Sequence, residues 1–350
     1  MREVAQQLEK WSDRPGPWGL ATLVAVEGSS PREVGASLIF DPQTGAFHGS
    51  VSSGCVENVL LEQLPGIVAE DGVEHLEFGP AEVVPWAVGL TCGGTIRVRL
   101  ERYFRHSGDP VMREIAAIWQ QFWAQDEPGT LLSKGNRHCL MMSDGSILGE
   151  RTEWPTAALG RALELCRGGL PSELWTPSLG DTAPIFLRVN VPRPRLVLFG
   201  AVHISVEIAR LAAGLDCRVI VIDPRAEYLR AERFPVAPQE TILGWPGEIL
   251  PTLKLGPRDG VVALAHDSKI DDAGLVEAVR GGVGYLGALG SRQSQQARRE
   301  RLQGLGLSDE ECARIAGPVA AGLRSREAGE IALGILQEYI VWRRSLDASQ

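Results

Sequence analysis

The sequence predicts an α/β protein in two parts: a doubly wound parallel sheet in the C-terminal half and a β-rich α+β domain before it. Three observations predict this. The 350 residues suit about two domains at roughly 150 residues each. The second half alternates short, wholly apolar strands with helical segments, as in a parallel sheet covered on both faces. The first half carries strands broken by Gly-, Ser- and Pro-rich loops, with short helices between them. Residues 191–195 (VPRPR) mark the boundary, because two prolines there break helix and strand ladders. The domains are therefore expected at 1–191 and 192–350.

In the first domain, residues 19–26 (GLATLVAV) read as a buried strand and 28–35 (GSSPREVG) as a loop. Residues 36–40 form a second strand, 41–45 (DPQTG) a turn and 47–51 a third strand. Residues 56–64 are apolar at helical spacing. Residues 95–103 (TIRVRLERY) alternate apolar and charged side chains, which predicts a half-exposed strand. Residues 129–150 repeat the strand, loop, strand, turn, strand plan of residues 21–49 in layout rather than in sequence, and belong to the same domain.

In the second domain, 196–199 (LVLF), 218–222 (RVIVI), 260–265 (GVVALA) and 284–289 (GYLGAL) read as buried strands, each followed by a helix. The first of these helices spans 203–213, with Ile204, Ile208 and Leu211 on one stripe and Gly214 as its stop. Ligands of such a sheet are expected at the carboxyl ends of its strands. Gly200 opens a turn where a dinucleotide fingerprint would read G-x-G-x-x-G, but Val202 and Ser205 replace the second and third glycines. Val202 fills the space a pyrophosphate needs, so NAD(P) is disfavoured. Asp223 sits where a ribose-binding acid would be. His203, His266 with Asp267, and Ser291 with Arg292 all fall at the same sheet edge and are expected to share one crevice. Arg292 suits a phosphate or carboxylate. The plainer reading of His266 and Asp267 is that they cap a turn.

Lys and Arg number 35 against 44 Asp and Glu, a net charge of −9. That balance argues against non-specific binding to nucleic acid or to anionic lipid. No apolar run approaches the ~18 residues of a membrane span, and the charged N-terminal segment lacks a signal-peptide core. A cytoplasmic location is expected. The six cysteines, Cys55, Cys92, Cys139, Cys166, Cys217 and Cys312, form no C-x-x-C pair, which argues against both a structural zinc site and a disulfide framework.

Two cysteines stand apart. Cys55 lies in GSVSSGCVEN (49–58), a serine- and glycine-rich turn before a helix. Free N–H groups at a helix N-terminus stabilise a thiolate, and Ser52 and Ser53 are natural N-caps. Gly54 precedes this cysteine. Cys92 lies in GLTCGG (89–94), where Gly93 and Gly94 leave the backbone bare before the next strand, a turn able to accept an anion. Arg32, in the 28–35 loop, is either a further anion contact or a solvated charge. The other four cysteines sit in apolar or helical stretches and read as buried hydrophobes.

Taken together, the segments at 28–40, 49–58, 90–101, 196–203, 219–225, 265–267, 284–292 and 330–333 resemble the XdhC/CoxI family of accessory factors for xanthine dehydrogenase and related molybdenum hydroxylases. The resemblance runs from about Gly19 to Tyr339. It implies a C-terminal Rossmann-like domain, binding of molybdenum cofactor (molybdopterin), help with its sulfuration by a cysteine desulfurase, and its delivery to an apo molybdenum hydroxylase. It places the family's two cysteine motifs on Cys55 and Cys92, as transient molybdenum ligands or sulfur relays. Gly200, His203, Asp223, Arg225, His266, Asp267, Ser291 and Arg292 are then the candidate contacts for phosphate or pterin. A homodimer is expected, because two domains on a short linker leave apolar edges to cover. The sequence departs from the family pattern at Ser53, at Val202 and at Gly322-Leu323-Arg324, where Asp-Ile-Gly is usual. Two alternatives to the carrier are an NAD(P)-dependent oxidoreductase using Cys92 or His266 and a scaffold that only docks a partner.

Overall fold

The computed structural model describes residues 2–12, 14–80, 90, 93–177 and 183–348. The chain divides into two compact units, Met1–Pro192 and Arg193–Gln350.

The first unit is built from an internal repeat. After α1 (Arg2–Lys10), its first half runs β1 (Gly19–Glu27), β2 (Ser37–Phe40), β3 (Phe47–Gly49), α2 (Glu57–Glu70), β4 (Val73–Phe78) and β5 (Thr95–Arg102). A helix, α3 (Pro110–Gln125), leads into the second half. That half runs β6 (Gly129–Lys134), β7 (Arg137–Met142), β8 (Ile147–Leu148), α4 (Thr156–Gly168), β9 (Glu173–Trp175) and β10 (Ile185–Asn190). Among the described residues the two antiparallel sheets have the same strand order, β3-β2-β1-β5-β4 and β8-β7-β6-β10-β9. The layout echo seen in the sequence thus covers two further strands and a helix. Gly49 and Gly149 mark similar places: Gly49 ends the third strand of its copy and Gly149 follows that of the other, both with positive φ, +89° and +114°. A side chain on either would press on the second strand's backbone, at Ser37 and at His138.

The sheets pack face to face. Leu20 and Ile39 of the first share one apolar cluster with Leu131 and Leu140 of the second, joined by Trp119 of α3. Helix α2 covers the outer face of the first sheet through Leu60 and Leu64. Helix α4 covers that of the second through Leu159 and Leu165. These helices span 13 to 16 residues and are not the short ones expected, since each must cover the width of a sheet or close its end.

Strand β5 also departs from expectation. It lies between β1 and β4, and Arg99 and Glu101 are buried between the sheets. Glu101 meets Arg99 at 2.7 Å and His138 of the second sheet at 3.2 Å. Arg188 of β10 donates to Thr22 of β1, and Arg99 to the Gly135 carbonyl. The repeat shows here too, because Glu101 pairs across from Leu20 and Arg188 from Leu131. Burial alone would raise the Glu101 carboxyl, but Arg99 and then His138 hold it well below the usual carboxylate range. An alternating strand looked half-exposed because Arg99 and Glu101 neutralise each other within it, while His138 and the Gly135 carbonyl of the other repeat complete their partners.

In the second unit the strands are β11 (Arg195–Phe199), β12 (Arg218–Asp223), β13 (Glu240–Leu243), β14 (Gly260–Ala263), β15 (Tyr285–Ala288) and β16 (Ile315–Ala316). They form a parallel sheet in the order β13-β12-β11-β14-β15-β16. Counted within the unit this is 3-2-1-4-5-6, the doubly wound dinucleotide-fold order with its reversal between β11 and β14. The helices are α5 (His203–Ala212), α6 (Pro246–Ile249), α7 (Ser268–Arg280), α8 (Arg292–Gly304), α9 (Asp309–Ala313) and α10 (Ala328–Ala348). One face is covered by α5 and α10 through Ile208, Ile335 and Tyr339. The other is covered by α7 and α8 through Ile270, Leu275 and Leu302. The helix expected after β12 is absent. Residues Ala226–Leu229 and Ala231–Arg233 form two 3-10 turns instead, and Arg225 and Arg233 both lie over the Tyr228 ring between them.

The buried charges predict a measurable asymmetry. Glu101→Gln leaves buried arginines without their counter-charge and is expected to cost about 3–5 kcal/mol in urea unfolding. Glu77→Gln, which breaks the exposed Arg97–Glu77 pair, is expected to cost less than about 1 kcal/mol.

Candidate functional site

The antiparallel topology of the first sheet carries three loops to one end. Strand β1 leaves it at Glu27, β2 enters beside it, β3 exits there at Gly49 opposite Leu38, and β5 enters at Thr95 opposite Glu27. The loops at 28–36, at 50–56 and just before Thr95 therefore share this end. Gly94 lies directly on the backbone of Ser29, with no room for a side chain. Leu90 is buried in the same apolar cluster as Val51 and Val56, and Cys55 packs half-buried against it. Arg32 is half-buried in the first loop, where the Ser30 hydroxyl donates to the Arg32 carbonyl at 2.9 Å. Cys92 lies outside the described residues. The other four cysteines are buried, and burial pushes the Cys139 thiol up to about 12.

The Cys55 loop is organised by Glu57, the first residue of α2, a role that sequence reasoning missed. One carboxylate oxygen accepts from the Ser50 hydroxyl at 2.5 Å and from the N–H groups of Val51 and Ser52 at 3.1 and 2.9 Å. The other accepts from the Ser52 hydroxyl at 2.5 Å and from the N–H groups of Gly54 and Val56 at 2.9 and 3.2 Å. The expected serine caps are therefore corrected: Val56 is the N-cap residue, with no side-chain cap. The loop N–H groups expected to face a thiolate are occupied by Glu57. Ser53 and Gly54 hold positive φ, +62° and +111°, and the space a Gly54 side chain would enter is open. The legible signal was an acid opening a helix after a serine-rich turn. Burial alone would raise the Glu57 carboxyl, but the hydroxyls of Ser50 and Ser52 and the Ser52 amide bring it down to about 2.

In the second unit, Gly200 (φ +91°) closes β11. A Cβ there would sit 2.8 Å from Ala265, so the loops after β11 and β14 meet at the reversal point. Asp223 is fully buried. It accepts from the Ala201 N–H at 2.7 Å and is gripped through both oxygens by Arg225 at 2.9 and 2.8 Å. Arg225 lies 3.8 Å over the Tyr228 ring. A ribose at Asp223 would have to displace Arg225. His203 opens α5 with its side chain 77% exposed, 3.8 Å from Glu207. Asp267 is the N-cap of α7, accepting from the Lys269 N–H at 2.9 Å, in keeping with the plainer expectation of a turn cap. His266 precedes it, exposed, at φ +56°. Ser291 is the N-cap of α8, and Arg292 is its exposed first residue. Among the described residues no group of three or more His, Cys, Asp or Glu side chains could hold a metal ion.

Two family models match the chain: one described as the XdhC and CoxI family over residues 11–79, the other as the XdhC Rossmann domain over residues 196–339. Between them they cover more than half of it. The chain belongs to the XdhC and CoxI family. It is 27% identical over 328 residues to a probable xanthine dehydrogenase subunit of Bacillus subtilis, spanning 93% of each protein. It is 24% identical over 322 residues to the molybdenum cofactor insertion chaperone PaoD of Escherichia coli, covering 91% of this chain and 81% of that one. The fold is shared with a xanthine dehydrogenase of Bacillus halodurans, at a TM-score of 0.76 and 22% identity, over 98% of this chain and 96% of that one. The XdhC and CoxI match contains the Arg32 and Cys55 loops and Glu57. The Rossmann match contains every crevice residue named above.

Glu57 yields a signed prediction. Its folded-state pKa is depressed from the ordinary 4.5 to about 2, so its stabilisation is complete above the unfolded value and is lost as pH falls toward about 2. Glu57→Gln is expected to lower stability at pH ~7 by about 2–3 kcal/mol, the larger figure being trimmed by screening near the surface. The gap from wild type should close as pH falls from about 4.5 toward 2, measured by urea unfolding across pH; a constant gap would refute the assignment.

Proposed function

We propose that this chain is an accessory protein that binds molybdenum cofactor, assists its sulfuration and inserts it into a xanthine dehydrogenase-type molybdenum hydroxylase. The gathering of the Cys55, Arg32 and Gly93–Gly94 segments at one end of the first sheet carries this reading. The full-length similarity to a molybdenum cofactor insertion chaperone supports it. The cargo is an anionic pterin with a dithiolene and a phosphate. A carrier needs a soft ligand for the metal, which a thiolate supplies, and cationic or N–H donors for the phosphate. In this reading Cys55 and Cys92 hold the metal or relay sulfur. Gly54, Gly93 and Gly94 let the guest approach the backbone, and Arg32 meets its negative charge. The second unit offers Gly200, His203, Asp223, Arg225, His266, Asp267, Ser291 and Arg292 to the phosphate or pterin, with Asp223 acting by positioning Arg225 rather than by direct contact. A cysteine desulfurase supplies the sulfur, an apo-hydroxylase receives the product, and the protein works as a cytoplasmic homodimer. No helix of the described residues is long and apolar enough to cross a membrane. The oxidoreductase alternative has less support, because Val202 replaces a glycine and Arg225 closes Asp223.

The test is the molybdenum and pterin content of protein purified from a molybdenum-replete host. Cys55→Ala and Cys92→Ala are each expected to lower both by about tenfold or more, with an unfolding midpoint close to wild type. Undiminished content in both variants would overturn the ligand assignment. NADH binding at about micromolar Kd without pterin uptake would favour the oxidoreductase.

A further inference from the structure

Beneath the carboxyl ends of β14 and β15 in the second unit lies a buried charge pair that has no part in the site residues named so far. Asp271 of α7 and Arg298 of α8 are 1% and 6% exposed. Asp271 accepts from the Ala265 N–H at 3.3 Å, with the His266 N–H as a further donor. Arg298 donates to the Leu289 carbonyl at 3.1 Å and to Gln295 at 2.6 Å. Gln295 in turn donates to the Ala288 carbonyl at 3.1 Å. Asp271 and Arg298 face each other at 3.9 Å. One side of the pair thus grips the chain just after β14, where His266 and Asp267 stand. The other grips the end of β15, just before Ser291 and Arg292.

We propose that Asp271 and Arg298 form a buried clamp that holds the His266–Asp267 and Ser291–Arg292 loops in register with each other, and that protonation of Asp271 releases it. Its use for cofactor handling rests on the carrier reading above; the clamp itself does not. The ionised carboxylate attracts Arg298 and two backbone N–H groups. The protonated acid loses the charge pair and keeps weaker hydrogen bonds. Other nearby groups bear on this balance. Asp272, its neighbour on α7, is already taken by Arg301 of α8 at 2.5 and 3.2 Å. The His266 imidazole is exposed on the loop itself. Burial is the chief reason that the Asp271 carboxyl is pushed up to about 7, against the opposing pull of Arg298. The release therefore falls in the physiological range, and an acid held in so unfavourable a place beside a crevice fits a positioning role.

The experiment is a pH titration of the full chain by NMR, following the Asp271 carboxyl carbon and the Ala265 and Leu289 amides. All three are expected to shift together with a midpoint near 7 in wild type and in His266→Ala. In Asp271→Asn, which keeps an acceptor for the Ala265 amide, the amide shifts should vanish. Amides that stay still, that still titrate in Asp271→Asn, or that lose their titration in His266→Ala would overturn the clamp. If Asp271→Asn does not fold, the carboxyl resonance in wild type and His266→Ala decides, and a midpoint below about 5 refutes the proposal. Absence of molybdenum and pterin from the wild-type protein alongside an intact titration would count against the carrier reading and leave the clamp standing.

Discussion

A single carboxylate shapes the cysteine end of the first unit. Glu57 draws six donors from residues 50–56 onto its two oxygens, and the loop bearing Cys55 takes the only path that lets it do so. Strand β3 ends at Gly49 because Ser50 and Val51 must turn toward Glu57 rather than continue the ladder. The loop N–H groups of Val51, Ser52, Gly54 and Val56 are spent on the chain's own acid. The loop that carries Cys55 is thus held by Glu57, and these four N–H groups are not free for a phosphate. An anionic guest at this end has to draw positive charge from the Arg32 loop and donors from the Gly93–Gly94 turn, since the Glu57 side repels it.

The repeat explains why the first unit tolerates buried ions between its sheets. Each copy places a polar pair at the same register, Thr22 with Ser37 and Ser133 with His138. Each also sets a charged residue beside it, Glu101 in one copy and Arg188 in the other. Arg99 pairs with Glu101 within the first sheet, and His138 and Arg188 of the second sheet face that layer, so the buried charges are compensated partly within the first sheet and partly across the interface. The copies differ in their loops. Residues 28–36 join β1 to β2 in the first copy, whereas Gly135 and Asn136 alone join β6 to β7 in the second. The long first-to-second-strand loop and the cysteine motif belong to the first copy only.

What the sequence made legible follows from how locally each feature is determined. The strands β11, β12, β14 and β15 were readable because a run of four or five apolar residues has no other place to go in a doubly wound sheet. The β1–β2 hairpin was readable from its apolar runs and from the turn formers between them. Strand β13 was not, since an edge strand of sequence ETIL carries little apolar signal. Burial of β5 was hidden because Arg99 and Glu101 pair with each other on the strand and find their remaining partners, His138 and the Gly135 carbonyl, in the other repeat. Glu57 was visible as a letter but not as a role, which depends on backbone donors whose direction only the folded loop sets. Asp223 was found by its position at the end of β12. Its occupation by Arg225 is a side-chain choice that position does not reveal.

That choice bears on what the second unit can hold. The strand order, the glycine after β11 and the acid after β12 are all features of a dinucleotide site. Yet the acid is sealed at 0% exposure, its partner arginine is stacked on Tyr228, and Arg233 donates to the Ala201 carbonyl at 2.8 Å. The β12 side of the crevice is thus satisfied internally and offers little to a ribose. On the β14–β15 side the position is reversed. His266, Ser291 and Arg292 are exposed, two helices begin there with their positive ends outward, and the loops are fixed from below by Asp271 and Arg298. The exposed groups at the ends of β14 and β15 thus lie apart from the side where a nucleotide fold ordinarily reads the sugar, which holds the Arg225 that Asp223 positions.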